Sequence, residues 1–404
     1  MPVSPAGNKS TLGIAFLLAA LAALGTFSID TYLPSFHDIG AALGATPIEV
    51  QQTLTAYMLP FAVMSLWHGA ISDTFGRRRV ILVGLALFGI ASAGCVMATR
   101  IEHLWVLRAV QGVSSGAGMI ISRAIVRDLF SGAEAQRVMS RITMMFAFAP
   151  ALAPVLGGRL QQWFGWRSVF AFLVLVALVL WLICWRFLPE TLAVERRQPF
   201  NVRYLVKTYW KVMTSPSFLF GCASLGFTFS GFFLYVMSAP VFLMRHLGVP
   251  ETGFFWLFGP AMAGLMGGAW LSGRFAGKYP PQQTIMRGFS IMSVAVLCNV
   301  GWHLFFPPML PWSVVPVFIY TLGMSLATPC LTLSVLDPYH NERGLAASCQ
   351  GFLQSLINAL VAGAIAPLLW STALSMAWSM GGMMVIGATA AWLHYRLAHR
   401  EVRG

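Results

Sequence analysis

Apolar runs of about 20 residues recur along the whole chain, and short polar stretches separate them. A run of that length, wound as an α-helix, is long enough to cross a ~30 Å hydrocarbon core. The pattern therefore predicts an all-α membrane protein with twelve transmembrane helices, at 12–36, 48–70, 80–98, 104–124, 136–160, 167–188, 217–241, 254–275, 283–304, 313–335, 344–370 and 374–396.

The longest polar interval lies near residues 189–216 and divides the predicted spans into two groups of six. We therefore expect two six-helix bundles, at 1–190 and 216–404, joined by a basic cytoplasmic linker at 191–215. Halves of this kind are related by an axis along the membrane normal. A shift of 200 residues supports an internal repeat, because it places Ser72, Phe75 and Arg78 over Ser272, Phe275 and Lys278.

Charge is scarce and unevenly placed. Of the 404 residues 57% are hydrophobic and 10% are charged, against about 25% charged in soluble domains, so most of the surface faces lipid. The net charge of +13 resides mainly in alternate loops, and the opposite set carries only Arg100, Arg159, Arg167 and Arg245. This asymmetry places both termini in the cytoplasm. The basic charge thus reports topology, and no nucleic-acid partner is expected.

The six cysteines and eight histidines are scattered along the chain without metal-ligand spacing. We interpret the cysteines as small core residues and expect no metal and no cofactor. A membrane-embedded enzyme or receptor would require a metal cluster, a nucleophile and base, or a sizeable soluble domain. The sequence suggests none of these, so we expect a protein that is not an enzyme.

Asp30 lies inside the first predicted span, where the apolar run continues through Leu33 and Phe36. Ionisable residues within a span are costly and are therefore candidates for function. Because desolvation favours the protonated carboxyl group, Asp30 is a candidate proton carrier. The alternative is that the span ends early and Asp30 faces the outer interface.

Arg108 is the matching basic residue, at the start of the fourth predicted span. The spacing places Arg108 and Gln111 on one helix face, and Asp30 lies at comparable depth. A nearby arginine would favour the charged carboxylate and oppose the effect of desolvation. The alternative is a structural arginine that bonds backbone carbonyl groups.

Two other spans contain unusual residues. In the fifth span, Pro150 and Pro154 remove backbone donors and Gly157 and Gly158 permit close helix approach, which predicts a hinge or simply tight packing. The seventh span is rich in aromatic residues between Phe227 and Tyr235, which face either a substrate cavity or lipid. The predicted substrate-binding residues are Asp30, Tyr32, Tyr57, Met58, Gln111, Phe229 and Tyr235.

The loop between the second and third spans reads Gly-Ala-Ile-Ser-Asp-Thr-Phe-Gly-Arg-Arg-Arg, from Gly69 to Arg79. The glycines allow a tight turn, the aspartate can pair with arginine, and three arginines keep the loop out of hydrocarbon. The spacing G-x-x-x-D-x-x-G-R-R-R resembles the signature loop of major facilitator superfamily transporters.

Further segments extend this resemblance to the twelve-span drug:proton antiporters, closest to the bicyclomycin and chloramphenicol resistance subgroup. They are Asp30-Thr31-Tyr32-Leu33-Pro34, Arg108-x-x-Gln111-Gly112, Arg123-Ala124-Ile125-Val126-Arg127-Asp128, the stretch Pro150–Gly158, Gly165-Trp166-Arg167 and Leu188-Pro189-Glu190-Thr191. The first half resembles the family strongly and the second half only in outline.

The resemblance implies a monomeric bacterial inner-membrane antiporter that exports small, largely apolar compounds in exchange for protons. It implies proton coupling by Asp30 and Arg108. It also implies an antiporter-type hinge in span five, and a cytoplasmic gate formed by Gly69, Asp73, Gly76, Arg77 and Arg78. A facilitator-fold transporter of a natural metabolite, such as a sugar, nucleoside or amino-acid derivative, is the alternative. Trp67-His68 before Gly69 departs from the family pattern.

Overall fold

The computed structural model consists of α-helices joined by short turns. The chain divides into two compact units, residues 1–201 and 202–404. The backbone is described for residues 8–401 apart from 131, 198–199 and 340–342, and the side chains are not described at 8–12, 132–137, 139–141, 143–148, 196, 343 and 399–401.

The first unit contains the helices that correspond to the first six predicted spans. A 3₁₀ turn at Leu33–Ser35 separates its first two helices. The helices are α1 (Asn8–Asp30), α2 (Phe36–Leu43), α3 (Pro47–Phe75), α4 (Arg77–Val96), α5 (Ile101–Leu129), α6 (Gly132–Phe164) and α7 (Arg167–Phe187).

The second unit begins with a helix that is not one of the predicted spans, α8 (Val202–Met213). Pro240–His246 and Val361–Ile365 are π-helical, and Ala366–Leu369 forms a 3₁₀ turn. The remaining helices are α9 (Pro216–Met237), α10 (Phe255–Phe275), α11 (Pro281–Phe305), α12 (Val315–Leu336), α13 (Arg343–Leu360) and α14 (Ala373–Glu401).

Within the described residues, eleven helical segments are long and apolar enough to cross a membrane. The predicted span at 136–160 lies within α6, a helix of 33 residues whose side chains are only partly described. The all-α fold predicted from the apolar runs is confirmed. The first span differs from the prediction because it continues through α2 to Leu43. The first span therefore contains two acidic residues, Asp30 and Asp38.

Local sequence explains where the helices begin and end. Thr46 and Glu49 form a reciprocal capping box at the start of α3, which satisfies two backbone donors. Between α3 and α4 the chain turns at Gly76, whose φ of 95° is readily accessible only to glycine. The equivalent helix α10 likewise ends at a phenylalanine, and Gly277 follows with a φ of 74°. The repeat suggested by the sequence therefore aligns two helix ends.

The interpretation of all six cysteines as core residues was wrong for two of them. Cys298 is exposed and Cys330 is half-buried, whereas Cys95, Cys184, Cys222 and Cys349 are buried. Cys298 lies in α11 beside Leu297, which is also exposed. Both belong to a helix that is apolar enough to span the membrane, so this surface suits lipid and an exposed cysteine there needs no special explanation.

Candidate functional site

Asp30 is the last residue of α1, and its side chain is only 3% exposed. The helix thus ends where the interface alternative expected it to end, but the carboxyl group is buried within the first unit. Within the described part of the chain it makes no hydrogen bond and no ion pair. A buried carboxyl group in such surroundings is costly and is therefore a candidate for function.

Arg108 is completely buried at the start of α5. Its Nη1 donates to the side-chain oxygen of Gln111 at 2.8 Å and to the hydroxyl oxygen of Ser28 at 2.9 Å. Gln111 in turn donates through Nε2 to the hydroxyl of Ser92 at 2.7 Å. The guanidinium lies over the rings of Tyr57 and Tyr32, 4.4 and 4.9 Å from their centroids. These contacts link four spans, which contain α1, α3, α4 and α5, around the charge of Arg108.

No ion pair joins Asp30 and Arg108 in the described part of the chain, although the sequence places them at comparable depth. The arginine has other acceptors, including the backbone carbonyl of Ser28 at 3.3 Å. Near the end of α1 the backbone N–H of Tyr32 bonds the carbonyl of Ile29 at 3.2 Å instead of that of Ser28, and a cation near a helix C-terminus is favourable. The bond from Arg108 to the carbonyl of Ser28 is of the kind expected for a structural arginine. The Nε and Nη2 atoms of Arg108 are buried and have no acceptor among the described residues.

The two tyrosines beside Arg108 are themselves anchored. The hydroxyl of Tyr32 bonds that of Thr53 at 2.9 Å, and the hydroxyl of Tyr57 donates to Ser115 at 2.8 Å. Tyr57 lies within electrostatic range of both Arg108 and Asp30. The structure therefore brings together most of the substrate and coupling residues predicted in this unit. Met58 is also buried, but it has no described bond to them.

Two glycines allow the close helix packing on which this site depends. A Cβ on Gly112 would overlap the backbone carbonyl of Tyr57, so α5 and α3 meet backbone to backbone there. A Cβ on Gly157 would overlap the carbonyl of Thr31, the residue after Asp30. The predicted close approach of span five therefore occurs directly beside the buried acid.

The other predicted hinge residues lie on the same helix. Pro150 is half-buried, and Pro154 and Gly158 are buried. Helix α6 continues through both prolines without interruption. Proline lacks the backbone N–H, so each one removes an intrahelical hydrogen bond from α6. The role of these residues as a hinge stays a prediction.

Phe229 and Tyr235 belong to the second unit. Phe229 is half-buried and contacts the rings of neighbouring phenylalanines on α9. Tyr235 is completely buried, and its hydroxyl accepts a hydrogen bond of 2.8 Å from the Nδ2 of Asn299. The Oδ1 of Asn299 has no partner among the described residues. Sequence reasoning missed Asn299, although a lone asparagine in an apolar span is a recognisable signal.

The predicted gate is a compact charged cluster. Arg77 forms an ion pair with Asp73 at 2.5 Å and contacts Asp128 on α5 at 3.2 Å. Glu190 accepts hydrogen bonds from the backbone N–H groups of Arg77 and Arg78, at 2.9 and 3.3 Å. A carboxylate at the start of α4 is favoured by the helix dipole. The bonding of Asp128 and Glu190 was not predicted, because sequence does not indicate which loops meet.

Gly69 and Gly76, the two glycines of the predicted gate, differ in their surroundings. A Cβ on Gly76 would overlap the carboxylate of Glu190, so glycine is needed there for space as well as for its positive φ. A Cβ on Gly69 would meet no atom within 4 Å, so nothing in its packing requires glycine.

Comparison with known families is decisive at this point. A sequence model described as the Major Facilitator Superfamily matches residues 15–362. The chain belongs to the major facilitator superfamily. It is accordingly a multi-pass membrane transporter that acts on small molecules, as the superfamily implies.

Three relatives match almost their whole length. An uncharacterised transporter of the superfamily from Bacillus subtilis, YdgK, is 33% identical over 96% of each chain. A bicyclomycin resistance protein homolog of Haemophilus influenzae is 28% identical over 98% of each chain. Multidrug resistance protein D of Escherichia coli is 26% identical over 97% of this chain and 98% of its own.

Solved structures support the fold alone. A bacterial homolog of the human lysosomal transporter Spinster, in an inward-facing unoccupied conformation, has a TM-score of 0.70 at 16% identity over 98% of each chain. The human organic anion transporter MFSD10 has a TM-score of 0.66 at 19% identity and covers 96% of this chain and 100% of its own.

Proposed function

We propose that this chain is a proton-coupled drug efflux antiporter that exports small, largely apolar compounds by alternating access. The observation that carries the proposal is Asp30, a buried carboxyl group inside a transmembrane bundle that has no hydrogen bond or ion pair to the residues whose side chains are described. Ionisable residues within spans are costly, and they typically mark proton or ion pathways in transporters.

The relatives support the choice of substrate class. Those that match over most of their length include a bicyclomycin resistance homolog and multidrug resistance protein D. A chloramphenicol resistance protein of Pseudomonas aeruginosa is 27% identical over 81% of this chain. Two of these names give an antibiotic and the third gives several drugs as a class, which supports drugs as the substrates.

Export of an anionic or polar metabolite is the second candidate. Two buried nitrogen atoms of Arg108, Nε and Nη2, have no acceptor in the described part of the chain and can donate to one. Buried donors are normally satisfied, so a substrate carboxylate or phosphate is a fitting partner.

Orientation, location and assembly complete the proposal. We place both termini in the cytoplasm of a bacterial cell, because the basic loops alternate with loops poor in cations. The protein acts as a monomer in the inner membrane, with protons, the substrate and lipid as its partners. Each bundle of the superfamily fold spans the bilayer by itself, so transport requires no second copy.

Inverted membrane vesicles test the function. A pH gradient is set across vesicles that contain the transporter, and compounds are added singly while the internal pH is followed. A substrate collapses the gradient, and chloramphenicol-like compounds are expected to do so. Collapse by sugars, nucleosides or amino-acid derivatives only would favour the metabolite transporter. No response to any compound that is independently transported would refute proton coupling.

Breaking the gate cluster is expected to shift the conformational equilibrium toward the inward-open state. Asp73→Asn removes one of the two charged partners of the nearly buried Arg77, which costs about 1–2 kcal/mol, or roughly a tenfold shift in the ratio of the two states. Distances between spin labels across the cytoplasmic ends of the bundles measure the shift. Arg79→Gln is the matched control, because Arg79 is exposed and lies in the first turn of α4, close in sequence to Arg77. Equal distance distributions for Asp73→Asn and wild type would contradict the gate role.

A further inference from the structure

Helix α8, here called the linker helix, carries three different surfaces along its twelve residues. One is buried against α9 and α13 of its own unit and consists of Leu205, Thr208, Tyr209 and Val212. The other residues of the helix lie outside this face, and they include two exposed stripes.

The basic stripe consists of Arg203, Lys207 and Lys211, which follow one another at intervals of four residues and are all exposed. Residues spaced by four lie on one face of a helix, so the three cations form a line. The linker helix contains no acidic residue, and this line is therefore purely positive.

The apolar stripe consists of Val202, Val206 and Trp210, which are 46%, 50% and 72% exposed. Each member directly precedes a member of the basic stripe, so the two stripes lie side by side about 100° apart around the helix. Three exposed apolar residues in register are unfavourable in water, and Trp210 is among the most exposed tryptophans of the described chain.

A helix with an apolar strip beside a cationic strip is typical of the membrane interface. Its apolar side chains enter the boundary between headgroups and acyl chains, and its lysines and arginines bind anionic headgroups. Tryptophan is enriched at that same depth.

The bilayer surface is also within reach. The linker helix ends at Met213 and the span α9 begins at Pro216, so only two residues separate them. A chain of that length extends about 10 Å at most. The linker helix therefore cannot move far from the membrane face at which α9 begins.

We propose that the linker helix binds anionic lipid headgroups of the leaflet that it faces, with the basic stripe on the phosphates and the apolar stripe inserted beside them. The proposed orientation makes this the cytoplasmic leaflet. The inference does not depend on which compound is transported or on proton coupling.

Hydrogen exchange of the full chain in lipid nanodiscs tests this interface. Amide exchange over residues 202–213 is compared between phosphatidylcholine discs and discs that also contain phosphatidylglycerol. Three cations near an anionic surface should slow the exchange about tenfold or more in the anionic discs. The effect should fade at high salt in the wild-type protein, because salt screens exposed charges. This salt titration needs no mutant, so the result does not depend on how a variant folds.

The triple variant Arg203→Gln, Lys207→Gln, Lys211→Gln should lose the lipid dependence. The matched control, Arg274→Gln, Lys278→Gln, Arg287→Gln, removes three charges from the α10–α11 region and should keep it. Equal exchange of the wild type in both kinds of disc would overturn the proposal, and so would an equal effect of both triple variants. Protection by free glycerol phosphate in phosphatidylcholine discs would also overturn it, because a soluble anion would then suffice.

Discussion

Asp30→Asn is expected to abolish uphill export while the protein still folds and inserts. The amide keeps the size of the carboxyl group but cannot release or take up a proton, so the driving force no longer reaches the substrate. Each charge that crosses 100 mV supplies about 2.3 kcal/mol, or roughly a fifty-fold concentration ratio. A neutral substrate that wild type concentrates to this extent should reach a ratio of about one with the variant, as measured in energised inverted vesicles.

Asp38→Asn is the matched control for this prediction. Asp38 belongs to the same span but lies beyond its break, is half-buried, and accepts a hydrogen bond from Gln161. Its variant should keep uphill export, because a bonded acid near the interface is not needed to carry the proton. Normal accumulation by Asp30→Asn, together with loss of accumulation in Asp38→Asn, would contradict the proposal and would indicate that Asp38 carries the proton.

The apolar runs predicted the spans well, because a lipid-facing helix must be apolar over most of its length. They did not predict the break after Asp30, since Leu33 and Phe36 continue the apolar run although the helix stops. They also did not predict the linker helix. Its apolar residues lie on two faces and its cations on a third, so its sequence has the polarity of a loop.

At the site, sequence indicated the chemistry but not the contacts. Asp30 and Arg108 stand out because charge is rare within spans. The acceptors of Arg108 are Ser28 and Gln111, and Gln111 is bonded to Ser92; serines are too common within helices to attract attention. Gly157 was recognised as a close-packing residue, yet its partner Thr31 lies more than a hundred residues away. Such pairings depend on the three-dimensional arrangement of the spans.

Arg108→Ala is expected to uncouple the two fluxes, so that substrate still moves downhill but carries no proton exchange with it. The arginine is completely buried beside the end of α1, and two of its nitrogen atoms have no acceptor among the side chains and backbone that the structure describes. A charge held in this way can respond when Asp30 changes its protonation or when a substrate arrives. Without it, the roughly fifty-fold ratio available from 100 mV should fall to about one.

The charge balance makes this prediction sharp. If Asp30 carries one proton per turnover, exchange for a neutral compound moves net charge and should respond to voltage. Exchange for a monovalent cation moves none and should respond only to the pH gradient. Arg108→Lys keeps a cation at the position and should retain part of the coupling. Ser92→Ala removes the bonds of its hydroxyl to Gln111 and to the carbonyl of Phe88, but it leaves Arg108 in place and should retain nearly all of the coupling. Two protons per turnover, or full coupling in Arg108→Ala, would refute this mechanism and require a second proton carrier.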